Sequence, residues 1–140
     1  MLTAAVWGDC GPVKEEHPTV QQLQSIAQLQ SKLWTVLAVT KPIPPGIGCA
    51  CQILLLASWL PETCACHISS ERVISFGFSP RDTLTLTAMG TQNVLCIQRE
   101  LLSISGQKIE PQEIPLPLGT GPRKLEQLLA EAALLLILDE

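Results

Sequence analysis

The sequence predicts an α+β fold: a mainly antiparallel β-meander or small barrel, flanked by an N-terminal amphipathic helix and a C-terminal Leu-rich helix. Three observations predict it. Between Cys49 and Leu102, apolar and β-branched residues come in short runs separated by turn residues. From Pro18 to Ser31, apolar residues recur every three or four positions. Beyond Gly121 the chain is dominated by leucine and alanine.

Residues 1–17 hold Gly8, Gly11, Pro12 and the polar cluster Lys14-Glu15-Glu16-His17 without sustained periodicity. They read as a flexible arm ahead of a single globular domain over 18–140. Pro18 suits a first helical turn, and Val20, Leu23, Ile26 and Ala27 share a face opposite a row of glutamines, which predicts a helix over 18–31. Leu33 to Thr40 switches to β-formers and reads as a strand. Ile43-Pro44-Pro45-Gly46-Ile47-Gly48 then forms a semi-rigid loop, read as a spacer between strands.

The run Cys49 to Leu60 is nearly all apolar, the pattern of a strand buried on both faces. Pro61-Glu62-Thr63 breaks it. Cys64 to Ser69, Arg72 to Ser79, Thr83 to Met89 and Val94 to Leu102 follow as further strands, with reversals at Ser70-Glu71, Pro80-Arg81-Asp82 and Gly90 to Asn93. Period two puts Leu84, Leu86 and Ala88 opposite three threonines, so that strand has one wet face. The same period places Phe76 and Phe78 together as core anchors. Connections this short favour antiparallel neighbours. After the prolines of 111–117, a helix starts at Gly121-Pro122, with Leu125, Leu128, Ala132 and Leu135 in one stripe and Leu129 and Leu136 widening it. The strand run and closing helix are similar in layout to pleckstrin-homology-like barrels, with an OB-like barrel as the alternative.

The 140 residues are 46% hydrophobic and 16% charged, a balance that supports one compact domain rather than a disordered chain. The net charge of −4, with no basic cluster longer than Arg123-Lys124, argues against a phosphate-tracking groove. With no Tyr, platforms for stacking bases are scarce. The N-terminus has neither a basic n-region nor an apolar core for a signal peptide, and six cysteines without one imply free thiols in a reducing compartment, nucleus or cytoplasm.

Cys49-Ala-Cys51 and Cys64-Ala-Cys66-His67 gather thiols and an imidazole as zinc requires. The spacing resembles the SWIM-type zinc pattern of Cys-x-Cys followed by Cys-x-His, with Cys66 where that pattern has its histidine. A hairpin reversing at Pro61-Glu62 sets Trp59 opposite Cys64 and leaves Cys49 and Cys51 further along, which favours core thiols and no metal. No Gly-x-Ser-x-Gly elbow or P-loop is present, and the adjacent carboxylates Glu15-Glu16 and Asp139-Glu140 read as solvated tails rather than an acid–base pair, so no catalytic residue or cofactor is assigned.

The expected function is a non-enzymatic protein–protein interaction domain, a small subunit or adaptor of a hetero-complex that spans no membrane. Leu128, Leu129, Leu135, Leu136 and Leu138 form the expected partner face, because a helix end apolar all round must meet a core or a partner. Leu23, Ile26 and Leu29 form a second. Ordinary core packing is the alternative for all eight. The other readings are a zinc-stabilised module and a small OB-type domain binding single-stranded nucleic acid.

Overall fold

A computed structural model describes residues 2–9, 19–61, 67–89, 92–116 and 124–138. Of these, 45% lie in strands and 15% in helices, so the chain is mostly β. The strands are β1 (Ala4–Trp7), β2 (Val20–Gln22), β3 (Trp34–Val39), β4 (Cys49–Ala57), β5 (Ile68–Gly77), β6 (Leu84–Met89), β7 (Gln92–Ile97), β8 (Leu101–Leu102), β9 (Lys108–Ile109) and β10 (Gln112–Pro115). The helices are α1 (Ile26–Leu29) and α2 (Leu125–Ile137).

Eight strands make one mixed sheet in the order β10-β7-β6-β5-β4-β3-β1-β2, and β8 pairs with β9 apart from it. The sequence expectation of an antiparallel meander or barrel is overturned. β4, β5 and β6 each lie parallel to the strand before them in the chain, as in a β-solenoid. Among the described residues of this sheet, the antiparallel pairs are β6 with β7 and β7 with β10. The physical sign was in β4, whose run is apolar throughout except for Gln52, as a parallel strand needs when both its faces are covered.

The expected N-terminal helix is also replaced. Val20–Gln22 pairs in parallel with Ala4–Val6 as β2, and the helix is confined to Ile26–Leu29, capped by the Ser25 hydroxyl accepting from Gln28 N–H at 3.2 Å. Ala4–Trp7, expected within the arm, form β1 between β2 and β3 and are 0–6% exposed. Met1, residues 10–17 of that arm, Pro18, Cys64, Cys66, the Gly90-Thr91 reversal and the Gly121-Pro122 helix start lie outside the described residues.

The sheet buries two clusters. On its helix face, Val6, Val36, Ala38, Ile53, Leu55, Ile74, Phe76, Leu84 and Ile97 pack with Leu129, Ala130, Ala133, Leu134 and Ile137 of α2. On its loop face, Ala5, Trp7, Trp34, Leu37, Val39, Cys51 and Leu54 pack with Leu23, Leu29 and Ile43.

Strict alternation would put Trp34 beside Val36, but an irregularity moves it. The N–H groups of Thr35 and Val36 both donate to the Thr3 carbonyl, at 2.9 and 3.1 Å. The ladder steps from Trp34↔Cys51↔Ser70 to Val36↔Ile53↔Arg72, skipping Thr35, Gln52 and Glu71. The register is the same on both sides of the step, so all three strands share the irregularity, and across it the two faces exchange. Trp34 and Cys51 therefore enter the loop-face core, where the indole N–H donates to Leu29 C=O at 3.0 Å. The break expected at Ser70-Glu71 is this irregularity within one continuous strand.

Candidate interaction surfaces

The carboxyl ends of β4 and β5 meet the turn that leads into β6. Gly77 ends β5 because a side chain there has no room: a Cβ would overlap the Ser58 hydroxyl and press on Asp82. Asp82 is 2% exposed. Its Oδ2 accepts the Ser58 hydroxyl at 2.9 Å and the Ser79 N–H at 3.1 Å, the arrangement a buried carboxylate requires. Gln98 Nε2 donates to the Asp82 carbonyl at 2.7 Å and ties the turn to the end of β7.

This pinned turn holds two aromatic rings outside the core. Trp59 lies just past β4 and Phe78 just past β5, stacked with centroids 6.0 Å apart and an interplanar angle of 25°. Trp59 also meets the buried Phe76 edge to face at 5.5 Å. Trp59 is 39% exposed and Phe78 48%, so the pair forms a shelf that is fixed from below and wet above. Phe78 is therefore not the core anchor its period suggested, because β5 ends one residue before it.

Beside the shelf is a recess of about 310 Å³ lined by Asp9, Thr40, Trp59, Lys124, Glu126 and Gln127. Gly8 brings Asp9 to it with φ of 117°, and its backbone lies against Thr40 too closely for a Cβ. The Gln127 side-chain amide donates to the Asp9 carboxylate. Both signs of charge share this rim, so it does not select a strongly charged ligand.

No family model, curated protein or solved structure matches the chain.

The eight leucine and isoleucine positions expected to bind a partner lie as follows. Leu129, Leu138, Leu23 and Leu29 are buried in the chain's own clusters. Leu135 and Leu136 are half-buried against the helix-face core, Ile26 is half-buried against the loop-face core, and Leu128 is half-buried. The buried stripe of α2 is Leu129, Ala130, Ala133, Leu134 and Ile137, not the expected Leu125, Leu128, Ala132 and Leu135, and Leu125 is half exposed.

Cys49 and Cys51 stand on β4, and parallel pairing with Ile68 and Ser70 replaces the hairpin that set Trp59 opposite Cys64. Burial pushes both thiols up, Cys51 to about 12 with the neighbouring Cys49 adding to the effect, which leaves them protonated and unreactive near neutrality. His67 is exposed, and its carbonyl accepts the Cys49 N–H at 3.2 Å. Among the described residues, no group of three or more His, Cys, Asp or Glu is placed to hold a metal ion. None of their helices is long and apolar enough to cross a membrane.

Sequence reasoning missed the Trp59–Phe78 shelf. The signal was the punctuation: Trp59 stands two residues before Pro61 and Phe78 two before Pro80, which places both rings past the end of a ladder.

Proposed function

We propose that this chain is a non-enzymatic protein-interaction domain, a small subunit or adaptor of a nuclear or cytoplasmic hetero-complex, and that it meets its partner on the Trp59–Phe78 shelf. The observation that carries the reading is the two stacked, exposed rings on a rigid turn. Burying the exposed part of each ring contributes on the order of 1 kcal/mol, about fivefold in affinity per ring. Because Phe76 and the Asp82 network already hold the rings, little ordering entropy opposes that gain. Aromatic anchors of this kind dominate binding energy at interfaces.

The test is co-purification of the tagged full chain from its native cells, beside the Trp59→Ala, Phe78→Ala double variant. The expected result is a stoichiometric partner retained in high salt by the wild type and lost from a folded double variant. A partner retained equally by both moves the interface away from the shelf. No partner on the wild type overturns the reading.

A further inference from the structure

The sheet is stepped in its middle. β5 and β6 are joined only at Phe76↔Leu84 and Gly77↔Thr85, after which β6 runs on beyond the end of β5. Below the step, from Ile68 to Ile74, no described residue pairs with β5 on the side away from β4. The main-chain groups that face this notch follow from alternation. Phe76 C=O accepts Ser58 N–H at 2.9 Å and so faces β4, which turns the N–H and C=O of Ser75 and Val73 the other way.

The sheet's outer edges are blunted by proline or by shortness, whereas this inner one is long and proline-free, with its charges and its irregularity confined to Glu71 and Arg72. β10 carries Pro115 and Glu113, with Pro111 just before it, and β2 is three residues long. Prolines, charges and short strands are the usual protection of an edge. The stretch from Ile68 to Ile74 has no proline, and its charges are Glu71 and Arg72 alone.

Across the notch stands β8, reached by the Arg72 guanidinium, which donates to Leu102 C=O at 2.7 Å. Between them lies a groove of about 380 Å³, with Val73 and Leu102 at its mouth, 57% and 43% exposed. Glu100 also lines it, but its carboxylate is paired with Lys108 at 3.3 Å. Among the described residues Arg72 has that carbonyl and no carboxylate as its partner.

We propose that the open edge of β5 receives an extended strand from a partner protein, with apolar side chains laid on Val73 and Leu102 and an Asp or Glu facing Arg72. This rests on the interaction-domain reading and gives it a second contact. The backbone dictates the occupant: an unpaired edge presents alternating N–H and C=O groups that only another extended main chain can meet in register. Seven residues of β5 offer ~23 Å of edge. The uncompensated guanidinium then selects an acidic strand over a basic one, since like charge at this spacing costs affinity.

A random peptide library displayed on phage and selected on the full chain tests this. The expected result is peptides with alternating apolar residues and one acid, bound about tenfold more weakly by Val73→Lys and by Arg72→Glu. Val73→Lys sets a charge on the edge at an exposed position, so its fold is retained. Amide exchange supplies the second readout: the Val73 amide exchanges fast in the free chain, unlike that of Phe76, and is protected when peptide binds. Peptides that bind Val73→Lys as tightly as wild type, or that leave the Val73 amide unprotected, overturn the inference. So does a dimer of the free chain that dissociates in Val73→Lys, since the edge would then be taken by a second copy. A cellular partner retained equally by wild type and Val73→Lys overturns strand addition while the interaction-domain reading stands. The absence of any partner on the wild type overturns both.

Discussion

The two halves of the sheet solve the burial problem differently. In the half built from β1, β3 and β4, both faces are covered, by α2 on one side and by Leu23, α1 and the 40–48 loop on the other. In the half built from β5, β6, β7 and β10, Ile74, Phe76, Leu84 and Ile97 meet the helix-face core, while Val73, Thr87 and Glu113 are exposed on the sheet's remaining surface. The first half is therefore a scaffold whose described strands β1, β3 and β4 are paired on both sides and covered on both faces. The second half carries the open edge, and the exposed aromatic shelf sits where the two halves meet, with Trp59 from the end of β4 and Phe78 from the end of β5. A strand can present its edge or its side chains to a partner only where its own chain has left them uncovered.

The largest expected difference between the halves is at Trp34. Trp34→Ala removes a 1% exposed indole and its hydrogen bond to Leu29 from the doubly covered half. It should cost roughly 3–5 kcal/mol, read as a lower urea midpoint. A cost below 1 kcal/mol would mean that the loop-face cluster is not packed. Next comes the joint between the halves. Asp82→Ala leaves the Ser58 hydroxyl and Ser79 N–H without their acceptor in a buried turn, and should cost roughly 2 kcal/mol by the same measurement. It should also loosen the Trp59–Phe78 shelf and weaken partner retention beyond what the loss of stability explains.

A smaller, pH-dependent effect belongs to Cys51 in the scaffold half. Well below pH 9 its thiol is protonated both folded and unfolded, and contributes no pH dependence. Between the ordinary value of 9.0 and about 12, the unfolded thiol ionises while the buried one does not, so the unfolded state gains and stability falls as pH rises. The expected result is a melting temperature that drops from pH 9 to pH 10.5 and drops less in Cys51→Ala. Equal slopes would show that the thiol is not desolvated.

Much of this contrast was legible in the sequence, and its failures have physical causes. The nearly all-apolar run of Cys49–Ala57 and the alternation of Leu84 to Thr87 already separate a doubly buried strand from a half-wet one. Parallel pairing was not legible, because the short breaks at Pro61 and Pro80 read as hairpin reversals, whereas the loops they interrupt return the chain to the same end of the sheet. The helix over 18–31 failed because Val20–Gln22 suits a strand once β1 lies beside it, a tertiary preference that overrides weak helical propensity. The face exchange at Trp34 was hidden as well: the irregularity there is tied to hydrogen bonding with Thr3, thirty-two residues away from Thr35 in the chain. Of the shelf, only the ends of its two strands could have been read, from Pro61 and Pro80.

The smallest expected effect is the most direct check on the wet half. Thr87 is exposed on β6, with its hydroxyl 3.4 Å from Cys96 Sγ. Thr87→Val keeps the β-branched shape that a strand favours and exchanges one solvent-accessible hydroxyl for a methyl group. With water available to replace the lost contact, stability should change by no more than about 0.5 kcal/mol in either direction. The equivalent polar change in the scaffold half, Leu54→Thr, exchanges a 1% exposed isobutyl group for a smaller side chain with a hydroxyl lacking a designed partner, and should cost several times as much. If Thr87→Val instead shifts stability by 1.5 kcal/mol or more, that face is covered in solution. The division into a closed scaffold and an open half would then fail, and with it the reason for placing the partner on β5.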